Sequence, residues 1–253
     1  MRQQLTVVTL DGIPRVRPGD DLARLLIAAL EQNGMALRAQ DILVVTQKIV
    51  SKAEGRYLDL AAVEPSSRAR EIAAITRKDV HLVEAILSQA VEVLRAASNV
   101  LVVATAHGLV LANAGIDQSN LDAGGRRVLL LPQDPDASAR RLKERIDAHF
   151  ATDIGVIISD SAGRAWRLGT VGLAIGAAGV PALLDRRGEK DMCGRPLEVT
   201  EVGVADAVAA AAVLIMGEAA EARPAALVRG LAWSAAARPA SDLVRSKARD
   251  LFR

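Results

Sequence analysis

Aromatic side chains are scarce in this sequence. Phe, Trp and Tyr make up 2% of the 253 residues, whereas hydrophobic residues make up 51%. The core must therefore be built from Ala, Val, Leu and Ile, and the chain lacks the aromatic residues on which nucleic-acid bases commonly stack. The basic residues are scattered, and the formal net charge is only +2. These two absences argue against nucleic acid as a partner.

Cysteine is almost absent. The single Cys193 excludes a disulfide within the chain and fits a reducing compartment. Because the sequence has only three histidines beside this cysteine, it does not favour a structural zinc site.

Segments that direct a chain to a membrane are also missing. No signal peptide is visible at the start of the sequence. The most apolar later stretch, residues 202–217, carries Asp206 and is too short to cross a bilayer. We therefore expect a cytoplasmic protein with no membrane partner.

The common nucleotide and hydrolase motifs are absent as well. The sequence contains no G-x-x-x-x-G-K-[ST] loop and no G-x-S-x-G elbow, and Gly172, Gly176 and Gly179 do not fit G-x-G-x-x-G. A nucleotide site in this chain must therefore use another kind of loop.

Apolar runs alternate with segments of helical periodicity, which predicts an α/β fold, or α+β with mixed sheets. The predicted strands cover residues 5–10, 42–45, 99–104, 128–131, 156–158 and 225–228. The predicted helices cover residues 21–33, 64–79, 81–97, 137–149 and 205–216. The Gly- and Ala-rich stretch 169–180 indicates close backbone packing or a tight loop.

The stretch VIISDSAGRAWR, from Val156 to Arg167, carries the strongest indication of a site. We expect its apolar strand to stop at Ser159, where a carboxylate, a hydroxyl, a glycine and two arginines follow. Asp160 and Ser161 suit a hard divalent cation, and guanidinium groups suit phosphate or carboxylate. The alternative is a plain polar turn in which Asp160 caps a helix.

Two further loops follow predicted strands. The first, TQKIVSK, ends at Lys52, which is either a phosphate contact or a solvated surface lysine. The second, ANAGIDQSN, presents Asp117 and Asn120 close together, which indicates a second metal or nucleotide loop. A simple Asx turn is the alternative for that loop.

Six motifs in these loops resemble the F-420 gamma-glutamyl ligase family and occur in the same order. They are VVTQKIVSKAEGR, HGLVLANAGIDQSN, LLPQDPDASA, ISDSAGRAWR, AIGAAG and MGE. The resemblance extends from Gly12 to Gly230. It implies an enzyme that uses GTP to add L-glutamate, once or repeatedly, to the lactyl-phosphate tail of coenzyme F-420-0 through an acyl phosphate.

The resemblance also implies the cofactors and the residues that hold them. It implies two divalent cations, manganese or magnesium, together with potassium. The implied metal ligands are Asp117, Asp160, Ser161 and Glu218. The implied GTP contacts are Ile13, Pro14, Arg15, Val16, Gln47, Lys52, Asn120, Met216, Gly217 and Glu218. Arg164 or Arg167 would contact a phosphate or the incoming glutamate, with surface ion pairing as the alternative.

For the fold, the resemblance implies an intertwined homodimer with mixed sheets, unlike a Rossmann domain. Residues 1–253 would form one domain, with two subdomains as an alternative, and residues 235–253 would form a peripheral tail. The small-molecule substrates would be F-420-0, L-glutamate and GTP.

The sequence departs from the family pattern at a few positions. Ser161 replaces the usual Thr, and Thr170-Val171-Gly172 replaces Gln-Thr-Asp. Ala207 stands where Glu is common. These differences leave two alternatives open: a related metal-dependent carboxylate–amine ligase with another substrate, or a nucleotide- or cofactor-binding homologue without catalysis.

Overall fold

A computed structural model describes residues 4–119 and 126–250. Its α-helices are α1 (Leu22–Gln32), α2 (Gln47–Ala53), α3 (Ser67–Thr76), α4 (Val80–Gln89), α5 (Pro135–Phe150) and α6 (Val204–Met216). Its strands are β1 (Thr6–Thr9), β2 (Ile42–Thr46), β3 (Tyr57–Asp59), β4 (Ala90–Ala97), β5 (Val100–Thr105), β6 (Val110–Ala112), β7 (Arg127–Leu129), β8 (Gly155–Arg164), β9 (Arg167–Ala178), β10 (Leu183–Asp185), β11 (Glu201–Gly203) and β12 (Ala225–Arg229). Short 3-10 helices lie at η1 (Leu60–Ala62), η2 (Asn113–Gly115), η3 (Ala240–Leu243) and η4 (Lys247–Arg249).

The main sheet has five strands in the order β1-β12-β2-β8-β9. Its two most apolar strands, β2 and β8, run parallel at the centre, whereas the other neighbours are antiparallel. The predicted α/β fold with mixed sheets is therefore confirmed.

Helices cover both faces of this sheet. Because side chains alternate along a strand, Leu43 and Val45 of β2 pack towards α1 and α5, whereas Ile42 and Val44 pack towards α6. A third hydrophobic cluster joins α3 and α4 to β5 and β7. No helix in the two described ranges is long and apolar enough to span a bilayer.

Two predicted boundaries are wrong. The helix predicted over residues 81–97 ends at Gln89, because residues 90–97 pair with β5 as a strand. The strand predicted over residues 156–158 continues to Arg164, because β9 pairs with it along nearly its whole length. In both places, hairpin pairing with the next strand overrides the local pattern.

The carboxylate of Asp136 links the segment after residue 235 to α5 and to the main sheet. Asp136, in the first turn of α5, accepts hydrogen bonds from the backbone N–H groups of Ala177 in β9 and of Ala240 and Ser241 in η3. The N–H donors of two distant segments therefore share one acceptor.

Glycines in β9 allow helices to approach its backbone closely. A Cβ atom added at Gly176 would lie 2.3 Å from the carbonyl oxygen of Pro135 in α5. One added at Gly172 would lie 2.5 Å from the carbonyl oxygen of Ala209 in α6. The close packing proposed for this stretch is therefore present, within a strand.

We predict that Gly176→Ala lowers the free energy of unfolding by about 2 kcal/mol or more, because the new methyl group meets backbone that cannot easily move. Urea denaturation measures the change. Gly163→Ala is the matched control, since its Cβ would meet nothing within 4 Å. Equal stability of the two variants would contradict the prediction.

Candidate functional site

The parallel pairing of β2 and β8 brings two polar segments to one edge of the main sheet. Thr46 at the end of β2 lies opposite Ser159 of β8. The chain then enters α2 at Gln47 and Lys48, while β8 continues through Asp160 and Ser161. Loops beyond the carboxyl ends of parallel strands commonly form binding sites in α/β proteins.

Asp117 joins this edge through a separate part of the chain. Its backbone forms an isolated antiparallel bridge with Leu129, at the end of β7. The Lys48 Nζ lies 2.7 Å from Asp117 Oδ2 and 2.8 Å from Ser119 Oγ. The backbone N–H of Ser119 donates to Asp117 Oδ1 at 2.6 Å. Burial opposes ionisation of Asp117, but these donors outweigh it and lower the pKa of the carboxyl.

The pKa of Asp160 is shifted in the opposite direction from that of Asp117. Burial raises its pKa to about 6, and the neighbouring negative charge of Asp117 adds to the effect. The backbone N–H of Ser161 and the side chains of Lys48 and Gln47 oppose the shift only in part. Two carboxylates that repel each other at a sheet edge form an arrangement that a divalent cation would relieve.

Ser161 and Glu218 form a second pair of oxygen ligands. The Ser161 Oγ donates to Glu218 Oε1 at 2.8 Å. Because consecutive strand residues point to opposite faces, Ser161 faces away from the side on which Asp160 meets Gln47 and Asp117. Glu218 follows Gly217, whose φ of +81° ends α6. The four predicted metal ligands thus form two pairs, one on each face of β8.

Each pair alone offers too few ligands for a complete coordination shell. No group of three or more His, Cys, Asp or Glu side chains suited to a metal occurs in residues 4–119 and 126–250. Oxygen ligands of this kind suit magnesium or manganese, which commonly take their remaining ligands from phosphate oxygens and water. The residues present fit such a shared shell.

The other residues predicted to contact GTP lie in several segments of the chain. Gln47 is buried at the start of α2 and accepts a hydrogen bond from Ser51, and Lys52 lies in the last turn of the same helix. Met216 is buried at the end of α6. Asn120 lies outside the described residues.

The predicted loop Ile13-Pro14-Arg15-Val16 joins β1 to α1. Val16 is buried in the first hydrophobic cluster, and Ile13 packs against that cluster. The side chain of Arg15 is exposed. In the structure, this loop is fixed by apolar packing on the same face of the sheet as Asp160.

Arg164 and Arg167 lie opposite each other at the tip of the β8–β9 hairpin. Both are exposed, and within the described ranges neither forms an ion pair with an acidic side chain. The structure therefore places these guanidiniums at the tip of the hairpin, beyond Asp160 on β8.

The sequence alone identified Lys52 as a candidate phosphate contact and did not identify Lys48. Both lysines lie in the same loop motif, but only tertiary structure shows that Lys48 meets Asp117. The position of Lys48, two residues after an apolar strand, was the signal that could have identified it.

Comparisons with known proteins show which family this chain resembles. The family model described as F420-0:Gamma-glutamyl ligase matches residues 12–230. The coenzyme F420:L-glutamate ligase of Methanothermobacter thermautotrophicus is 46% identical over 229 residues, which cover 90% of each chain. The Methanopyrus kandleri protein of the same name is 43% identical over an alignment of 256 positions, which covers 98% of this chain and 99% of its own.

We predict that Asp160→Asn stabilises the metal-free protein above pH 6, by up to about 3 kcal/mol. The pKa of Asp160 is raised from 3.8 to about 6 on folding. Its stabilising contribution is therefore complete below 3.8 and is lost as the pH rises through 6. The Asp160→Asn variant cannot ionise at this position, so it does not lose this stability as the pH rises.

Denaturation at pH values below and above 6 measures this difference in the presence of a chelator. Asp11→Asn is the control, since the Asp11 side chain is 76% exposed. The prediction is wrong if the pH dependence of the Asp160 variant equals that of the unchanged protein.

Proposed function

The chain belongs to the F420-0:gamma-glutamyl ligase family, and from this premise we propose that it adds L-glutamate to the lactyl-phosphate tail of coenzyme F420-0. The proposed energy source is GTP, and the proposed intermediate is an acyl phosphate. Relatives named coenzyme F420:L-glutamate ligase match the chain over nearly its whole length, which supports this assignment.

The observation that carries the proposal is the pairing of Asp117 and Asp160 beside Lys48. Transfer of a phosphoryl group to a carboxylate brings several negative charges together, so catalysis depends on positioning and charge neutralisation. The Lys48 ammonium and a cation held by the two carboxylates would supply positive charge at one point. Burial, with a smaller contribution from the charge of Asp117, raises the pKa of Asp160, and perturbed carboxyls of this kind are common at functional sites.

We propose that Asp117 and Asp160 hold one divalent cation, manganese or magnesium, and that Ser161 and Glu218 hold a second. When bound, such cations polarise phosphate oxygens and offset their charge. Potassium is proposed as a further, stimulating ion. The two pairs lie on either side of β8, so the GTP phosphates would have to contact both faces of this strand where it extends beyond β2.

The proposed GTP contacts come from three segments. They are Ile13, Pro14, Arg15 and Val16; Gln47, Lys52 and Asn120; and Met216, Gly217 and Glu218. Arg164 or Arg167 is proposed to contact a phosphate or the incoming glutamate, because a guanidinium group can bind two oxygens of one anion. We propose that the enzyme acts in the cytoplasm on these small molecules, which agrees with its single cysteine.

A reaction mixture of protein, F420-0, L-glutamate, GTP, manganese and potassium tests the proposal. Mass spectrometry should detect a product heavier by one or more glutamyl residues, and omission of GTP should abolish it. GTP cleavage stimulated only by another carboxylate would favour the related ligase with a different substrate, which the replaced polar residues at 170–172 suggest. GTP binding without cleavage would favour a non-catalytic homologue.

We predict that Asp117→Asn and Asp160→Asn each reduce turnover at least about 100-fold, because each removes a charged ligand of the proposed cation. The same mass-spectrometric assay measures the rate, and the fold is checked by circular dichroism. Asp11→Asn is again the control. Full activity in both site variants would refute the cation assignment.

We also propose a homodimer. Within the described ranges β9 is an edge strand of the main sheet, and the hairpin it forms with β8 exposes Trp166 and Leu168. Sheet edges and large exposed apolar side chains are common points of association between chains.

We predict that Leu168→Lys shifts the protein towards monomer, because it adds charge to a side chain that is 99% exposed in the single chain. Light scattering after gel filtration measures the mass. Met192→Lys, at an equally exposed apolar residue in another loop, is the control. A dimer in both variants would remove the hairpin tip from the proposed interface.

A further inference from the structure

A cavity of about 130 Å³ is lined by none of the residues assigned to the site. The C-terminal end of α4, the turn between β5 and β6, and η2 enclose it. Its lining includes Ser88, Gln89, Thr105, His107, Ala114 and Leu131. The cavity is therefore large enough to admit a small organic group.

One buried polar atom at this cavity is unpartnered. The Thr105 side chain lines the cavity and is only 4% exposed, yet its Oγ1 has no hydrogen-bond partner among the described residues. Asn113, the residue before Ala114 of the cavity wall, also has a buried Oδ1 without a partner in that part of the chain, but it does not itself line the cavity. Buried polar atoms are normally paired, so the Thr105 hydroxyl favours a bound molecule that supplies a hydrogen-bond donor.

The backbone next to the cavity is strained in the same place. Asn113 and Ala114 have φ values of +52° and +55°, in the left-handed region that side chains other than glycine seldom adopt. Strain of this kind persists where a binding site requires it.

The charge around the cavity selects the class of ligand. His107 is the only titratable residue in the described lining, and the lining has no Arg or Lys to pair with a carboxylate or phosphate. The C-terminal end of α4, which carries the negative end of the helix dipole, contributes Ser88 and Gln89. Oxygen acceptors and a negative helix end favour an amino group.

Two chain connections place the cavity near the carboxylates. Ala114 lies three residues before Asp117, which limits the distance between their Cα atoms to about 11 Å. Leu131 lies two residues after Leu129, the backbone partner of Asp117. A ligand of amino-acid size could therefore reach from the cavity to the site.

We propose that this cavity binds the amino group of the acceptor amino acid and that His107 accepts a proton from it. The proposal rests on the proposed ligase function. The imidazole of His107 takes one proton from the ammonium group, which frees the nitrogen lone pair. That lone pair forms the bond to the acyl carbon, and the bond from this carbon to the phosphate oxygen breaks. Phosphate leaves with the electron pair and takes up the second proton.

Thr105→Val tests the binding step, because it replaces the unpartnered hydroxyl with a methyl group of similar size. We expect the KM for L-glutamate to rise at least about tenfold, while the melting temperature stays the same or rises. Thr76→Val is the matched control. Thr76 is fully buried, but its hydroxyl already donates to the Ile72 carbonyl, so the KM should not change.

His107→Gln tests the proton transfer, with hydroxylamine as a second acceptor. Hydroxylamine is unprotonated at neutral pH and needs no base. We expect the rate with L-glutamate to fall about 100-fold or more, while the rate of hydroxamate formation stays unchanged. An equal fall of both rates, or of neither, would overturn the role of His107.

These measurements separate the cavity from the proposed function. Absence of hydroxamate with the unchanged protein would refute the acyl-phosphate reaction itself. Calorimetry with L-glutamate alone then still tests the cavity, because Thr105→Val should weaken binding about tenfold and Thr76→Val should not. Equal glutamate affinity in all three proteins would show that the cavity holds only water, and would overturn the proposal.

Discussion

The site depends on the parallel pairing of β2 with β8. This pairing aligns Thr46 with Ser159, so that the first turn of α2 and the continuation of β8 begin at the same edge. A shift of one residue in this register would turn Asp160 to the face that now carries Ser161. Both strands are apolar on both faces and are covered by helices, and this burial fixes the register. The position of the Asp160 carboxylate, a proposed metal ligand, is thus set by hydrophobic packing.

Much of this arrangement could be predicted from the sequence, because apolar runs and caps are local signals. Strand β2 and helices α1 and α5 agree with the predicted ranges to within about two residues. The motifs also led to Asp117 and Asp160. Local patterns could not show that residues 90–97 leave a helix to pair with β5, the next strand, or that Lys48 meets Asp117, because these outcomes depend on contacts outside each segment.

The surroundings of the site combine satisfied and unsatisfied polar groups in a consistent way. Asp117 has both carboxylate oxygens engaged, whereas Thr105 and Asn113 have buried oxygens without partners in the described chain. A fold that buries such atoms gives up stability, which is a common feature of places that receive a ligand. The free chain therefore loses stability through these unpaired atoms, and a ligand that pairs with them would restore it.

The carboxylate of Asp136 has a further consequence for how the molecule opens. It bonds the N–H groups of Ala177, Ala240 and Ser241, so β9 and η3 cannot separate from α5 one at a time without leaving donors unpaired. These segments should therefore behave as one cooperative unit in native-state fluctuations. β9 pairs with β8, the strand that carries Asp160. Local opening of η3 would therefore be transmitted through β9 to the site as motion of β8.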